Sequence, residues 1–151
     1  MSPLPNGKYL IINLVSPQPT VGADNIDNSA IKPVIVDGGM RVWYLEGVGG
    51  GRYKLVLDEN WYATTSADGE NVEVHTSVDP GTRWELEDAE EGPGWYIIKL
   101  ADTNTSWSAV QTRPKARADV GVRGGKVVLE PIRHPHLDPY QQWKFVPIFD
   151  D

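Results

Sequence analysis

Trp43-Tyr44-Leu45-Glu46-Gly47-Val48-Gly49-Gly50-Gly51-Arg52-Tyr53-Lys54-Leu55-Val56-Leu57 is the stretch whose reading decides the fold. A tryptophan strand ends in a glycine run, and a Gly-x-Tyr followed by alternating apolar residues begins a new strand. The phrase recurs. Gly7-Lys8-Tyr9-Leu10-Ile11-Ile12 opens the chain, Gly94-Trp95-Tyr96-Ile97-Ile98-Lys99 follows Trp84, and Trp143 closes the last third. Tyr9, Tyr53 and Tyr96 therefore recur at intervals of 44 and 43 residues. A fixed period of this size marks stacked or symmetric repeats of one supersecondary unit.

Working outward, each unit divides into four short apolar runs separated by Gly, Pro, Asn and Asp turns. The first unit, 7–50, has expected strands at 8–15, 20–23, 30–36 and 41–45. Pro33 points to an edge or bulge, and the four glycines in 47–51 point to a tight or mobile connection. The second unit, 51–93, has them at 53–57, 61–65, 71–76 and 83–86, with an acidic hairpin tip over 87–93. The third, 94–151, has them at 95–100, 107–111, 126–129 and 141–148, with a basic loop over 112–125. No stretch has the 3.6-residue periodicity of a helix. The expectation is an all-β single domain, 1–151, of twelve strands that close a barrel and so remove exposed edges. The repeated Tyr and Trp residues are read as core.

The bulk composition narrows function. The chain has 151 residues and no cysteine, which removes disulfides, thiol catalysis and thiolate metal sites. Its formal charge of −7 argues against nucleic acid as a partner. No apolar run approaches the roughly 20 residues of a membrane span, so no membrane partner is expected. The first residues lack a basic segment followed by an apolar run, so a cytoplasmic location is expected. His134-Pro135-His136 is held extended by its proline and has no thiolate to complete a metal site, and His75 is distant in sequence. No cofactor and no metal are expected. No Gly-x-Ser-x-Gly elbow is present, and 47–51 lacks the Lys-Ser/Thr of a phosphate cradle, so the chain is not expected to be an enzyme.

Three units of Gly-x-Tyr-x-Ile/Leu, each closed by a Trp strand, resemble the β-trefoil fold. The opening Gly7-Lys8-Tyr9-Leu10-Ile11-Ile12-Asn13, the absence of cysteine, the acidity and the closing Gln142-Trp143-Lys144-Phe145 resemble the mushroom trefoil inhibitors of serine proteases, of the trypsin-specific type, which are related to the mycocypin-like trefoil inhibitors. The resemblance implies a substrate-like inhibitor of trypsin-type serine proteases with a defensive role, and a monomer is expected because nothing in the sequence demands a dimer. It places the contact loop between the second and third strands. Here that segment is Asp24-Asn25-Ile26-Asp27-Asn28-Ser29. Asn28 is preferred as the residue entering the specificity pocket, with Asn25 as fallback. Asn and Asp stiffen such a loop by bonding to neighbouring backbone.

Asparagine cannot supply the charge-assisted bond that Lys or Arg would make in trypsin's acidic pocket. A competing loop therefore lies at 113–118, with Lys115 and Arg117. Arg52 is expected to be committed to a strand start. Two other readings stand beside these. A sugar-binding trefoil is hinted at by Gln141-Gln142-Trp143 and by Trp61 and Trp107, which could stack on a sugar but sit at strand starts that suit core packing equally, and the other units read Arg41-Val42-Trp43 and Thr82-Arg83-Trp84. Inhibition of cysteine proteases is the other: the sister trefoils meet papain-type enzymes with a Gly-rich first loop, from which Ser16-Pro17-Gln18-Pro19 departs, and asparaginyl proteases with an asparagine at the place Asn60 occupies.

Overall fold

The computed structural model describes residues 4–13, 21–23, 30–36, 40–76, 81–89, 94–109, 127–132 and 141–148. Within them run thirteen strands: β1 Gly7–Asn13, β2 Val21–Gly22, β3 Ile31–Pro33, β4 Ile35–Val36, β5 Trp43–Gly49, β6 Arg52–Leu57, β7 Trp61–Thr65, β8 Val72–Thr76, β9 Trp84–Asp88, β10 Trp95–Leu100, β11 Thr105–Ala109, β12 Val127–Pro131 and β13 Trp143–Ile148. Twelve were expected. The difference lies at Val34, where the expected third strand changes partners: β3 pairs with β8, whereas β4 pairs with β2. Between them, the Val34 N–H donates to Val72 O at 3.0 Å and its carbonyl accepts from Val127 N at 2.9 Å.

The barrel follows directly from the repeated phrase. The Gly-x-Tyr strands β1, β6 and β10 alternate with the Trp strands β5, β9 and β13. β1 pairs with β5, β5 with β6, β6 with β9, β9 with β10, β10 with β13, and β13 with β1, every pair antiparallel. That ring of pairings closes six strands on themselves and leaves no free barrel edge. Three hairpins, β2–β4, β7–β8 and β11–β12, cap one end. They meet at Val34, Val72 and Val127, all essentially inaccessible to solvent. A closed six-stranded barrel under three hairpins is the plan of a β-trefoil.

Period-2 alternation turns one face of each strand inward. Tyr9 and Ile11, Trp43 and Leu45, Tyr53 and Leu55, and Trp143 and Phe145 are all buried in this way. The three repeat tryptophans occupy equivalent places, and each indole N–H donates to a carbonyl in the strand after its unit's opening strand. Trp43 Nε1 reaches Val21 O at 2.8 Å, Trp84 Nε1 reaches Ala63 O at 3.3 Å, and Trp143 Nε1 reaches Trp107 O at 3.1 Å. These bonds span 22, 21 and 36 residues, so the third unit's extra length falls between β11 and Trp143.

The same register shows where the symmetry breaks. Trp107 stands where the other units have Val21 and Ala63. Its ring meets Trp43, Trp84 and Trp143 edge-on, with centroids 5.7, 5.6 and 5.7 Å away. One indole thus fills the axis for all three units. Trp107 was read in the sequence as a possible stacking surface for sugar, and its complete burial removes that role.

The glycine run 47–51 also differs from expectation. β5 continues through Gly49, with a register shift between Gly47 and Gly49, and only Gly50 and Gly51 form the turn. Gly49, Gly50 and Gly51 have φ of 93°, 66° and 76°, the left-handed region required by a two-residue hairpin of this twist. The acidic segment expected as a hairpin tip partly belongs to β9, which carries Glu87 and Asp88.

Candidate functional site

Asp24, Asn25, Ile26, Asp27, Asn28 and Ser29 lie outside the described residues, as do Lys115, Arg117, His134 and His136. What is described is the frame from which the 24–29 segment leaves and to which it returns. On the leaving side, Val21 and Gly22 pair with Val36 and Ile35. Ala23 then exchanges two backbone bonds with Met40, at 3.0 and 2.9 Å. Gly22 is packed so closely that an added Cβ would stand 1.7 Å from Met40 O, so no other residue fits there without backbone movement. Val21 O also accepts the Trp43 indole.

On the returning side, Ala30 O accepts Thr76 N at 3.1 Å, and Ile31, Lys32 and Pro33 pair with His75, Val74 and Glu73. Lys32 is buried to 4% exposure, with its ammonium 5.3 Å from the Trp61 ring centroid. The two ends are therefore clamped to different hairpins of the cap. The 110–126 segment leaves Ala109 and returns at Val127, two residues paired directly across the β11–β12 hairpin.

Arg52 begins β6, as expected, and is held by Glu85 at 3.4 Å and Asp102 at 2.5 Å. Asp102 has φ of 67°, a left-handed conformation that Asp tolerates better than most residues. Glu85 also pairs with Lys99 at 3.3 Å, and Lys99 with Glu87 at 3.1 Å. The Glu87 hydrogen bond is the main reason the Lys99 ammonium titrates above the usual lysine range; burial opposes it and Glu85 adds to it. Beside this network an open groove of about 310 Å³ runs past Thr65, Thr82, Arg83 and Leu100.

A second groove, about 160 Å³, lies on the outer face of the barrel and the neighbouring hairpin. Tyr44, Val56 and Tyr62 line it, with Glu46 and Glu59. Tyr44 pairs with Val56 across β5–β6, and Val56 with Tyr62 across β6–β7, so the three side chains share one face. The row continues in both directions, to Lys8 beyond Tyr44 and to His75 and Ile31 beyond Tyr62. At strand spacing it runs about 24 Å from Lys8 to Ile31. Ile31 is half exposed and lies just past the 24–29 segment. Sequence reading passed over this groove because its residues come from three strands. The available signal was the outward alternation of Tyr44 and Glu46 in the opening phrase.

Asn60 is exposed in the β6–β7 turn, after Asp58 and Glu59, whose φ values are 51° and 74°. Gln141 is fully buried, its side-chain amide donating to Pro131 O at 2.9 Å, and Trp143 is equally buried. The Gln-x-Trp motif therefore presents no sugar-facing surface. Trp61 remains partly accessible beneath Lys32. Among the described residues, no three His, Cys, Asp or Glu side chains cluster as metal ligands would.

No protein-family model matches the chain, and no curated sequence does. Solved structures do share the fold. A proteinase inhibitor from Coprinopsis cinerea superposes with a TM-score of 0.72 at 16% identity, over 96% of this chain and 99% of its own. The designed threefold-symmetric protein ThreeFoil gives 0.69 at 23% identity, over 94% and 99%. SeviL, solved with an asialo-GM1 saccharide, gives 0.63 at 17% identity, over 96% and 100%. At these identities the likeness establishes the architecture, and a shared architecture hosts unrelated functions.

Proposed function

We propose that the protein is a proteinase inhibitor that binds trypsin-like serine proteases through the 24–29 segment, with Asn28 entering the specificity pocket and no catalytic chemistry of its own. The observation that carries this reading is the double clamp on the segment. Gly22 and Ala23 are locked to Met40 on one side, and Ala30 and Ile31 to Thr76 and His75 on the other. Ordering a loop on binding costs about 0.5–1.5 kcal/mol per immobilised side chain, and a frame that fixes both ends meets part of that cost in advance. The fold shared with the Coprinopsis cinerea inhibitor is consistent with the same use of the scaffold.

The test is trypsin inhibition by Asn28→Ala, Asn25→Ala and the double variant Lys115→Ala/Arg117→Ala. Asn28→Ala should weaken inhibition by about 30-fold or more, the effect of removing a residue that dominates an interface. Loss of inhibition confined to the double variant would move the contact to the 113–118 loop.

A second reading rests on Asn60. It is exposed in a turn directly after two left-handed residues, an accessible position suited to an asparaginyl protease. Asn60→Ala should then abolish inhibition of an asparaginyl endopeptidase and leave trypsin inhibition intact.

A further inference from the structure

Among the described residues, four aromatic side chains reach the surface: Tyr44, Trp61, Tyr62 and Trp95. Three of them carry a lysine ammonium over the ring. Lys8 stands 5.8 Å from the Tyr44 centroid, Lys32 5.3 Å from Trp61, and Lys144 5.9 Å from Trp95. The negative face of each ring attracts the cation. Tyr62 is the exception within this described set, and it is the aromatic that lines the 160 Å³ groove opposite Tyr44.

The rim of that groove repeats the pattern. Its two carboxylates are Glu46 and Glu59. Glu46 is 3.8 Å from Lys54. Glu59 has neither an ion pair nor a hydrogen bond among the described residues, and it is exposed. The aromatic face without a cation and the carboxylate without a cation thus border the same groove.

The position of Glu59 adds to this. Its φ of 74° is one that the preceding hairpin assigns to glycine, at Gly50 and Gly51. An L-residue there is strained. Glycine would adopt this conformation at lower cost.

We propose that the Tyr44–Tyr62 groove binds a guanidinium group, the exposed arginine side chain of a protein partner, stacked on Tyr62 and paired with Glu59. A planar guanidinium can stack on a ring and present two N–H groups to one carboxylate, which a compact ammonium cannot do as well. The apolar floor at Val56 suits the methylenes behind the guanidinium. An anionic ligand would meet two carboxylates. The net charge of −7 favours approach of a basic surface. The site goes beyond the proposed inhibitory segment and uses none of its residues.

The test is an NMR titration of the full-length protein, with its tyrosine rings labelled, using N-acetyl-arginine methylamide as probe. The lysine analogue, N-acetyl-glutamate and galactose serve as comparisons. The arginine probe should move the Tyr62 and Tyr44 ring signals saturably and more tightly than the lysine analogue. Glu59→Gln should weaken binding by about tenfold, the loss of one charge-assisted bond. Tyr62→Phe, which keeps the ring face, should bind nearly as well as the parent, and Tyr62→Leu should not. Unchanged backbone spectra away from the groove would show that each variant folds. The proposal is overturned if the arginine probe gives no saturable shift, if Glu59→Gln binds it equally well, or if galactose moves the same signals instead. None of these outcomes depends on whether the protein inhibits trypsin.

Discussion

Replacing each of the four buried tryptophans by phenylalanine separates the roles that one residue type plays in this core. Trp43, Trp84, Trp107 and Trp143 are all 0% exposed, so the volume removed and the cavity left are similar at the four sites. Their indole nitrogens are not equivalent. Trp43, Trp84 and Trp143 donate to Val21 O, Ala63 O and Trp107 O. Trp107 Nε1 is buried with no partner among the described residues. Removing a satisfied donor leaves a buried carbonyl unpaired, at about 1–3 kcal/mol, whereas removing an orphan donor relieves a penalty of about the same size. Against this, Trp107 touches all three other rings, and each edge-on pair is worth about 0.5–1.5 kcal/mol, of which a phenylalanine keeps a large part. Trp107→Phe should therefore be milder than the other three variants by at least about 1 kcal/mol. Urea unfolding with a shared slope measures the difference directly. A Trp107→Phe variant as destabilised as Trp84→Phe or Trp143→Phe would refute the assignment of an orphan indole at the axis.

Gly22→Ala should cost about 3 kcal/mol or more, because its Cβ has no room beside Met40 O, and urea unfolding would show it. Glu59→Gly should raise stability by about 1 kcal/mol by relieving a left-handed L-residue, read as a higher thermal midpoint, while removing arginine binding. Burial holds the Tyr9, Tyr53 and Tyr96 phenols above their ordinary value of 10.0, with the charges of Tyr53 and Tyr96 adding to the effect at Tyr9, and that of Asp88, then Tyr53, at Tyr96. A group whose folded pKa is raised gives stability that is complete below its unfolded pKa and lost as pH rises through the folded one. Stability should therefore decline above pH 10.0, and Tyr9→Phe should flatten that decline in unfolding curves taken across the range.

The barrel was legible in the sequence because its signal is local and repeated. Gly-x-Tyr at 7–9, 51–53 and 94–96, and the Trp strands at 43, 84 and 143, name the six barrel strands in order. Trp107 stayed open between core and stacking surface because its burial depends on three other tryptophans distant in the chain, and nothing in Thr105-Ser106-Trp107 distinguishes an axial residue from a surface one. The partner switch at Val34 was equally hidden, since it depends on which hairpin each half of the strand meets. Gly22 looked like an ordinary strand glycine, and its role appears only in its approach to Met40 O. The proposed contact segment, 24–29, rests on a family resemblance, because its residues carry no repeat of their own. Asp24 to Ser29 shows neither strand nor helix periodicity in the sequence.

Trypsin inhibition by the unaltered protein, run beside chymotrypsin, papain and an asparaginyl endopeptidase, tests the central claim most directly. Tight, saturable inhibition of trypsin that weakens in Asn28→Ala and persists in Lys115→Ala/Arg117→Ala is the predicted result. Absence of inhibition across all four proteases, with the protein folded, would contradict it.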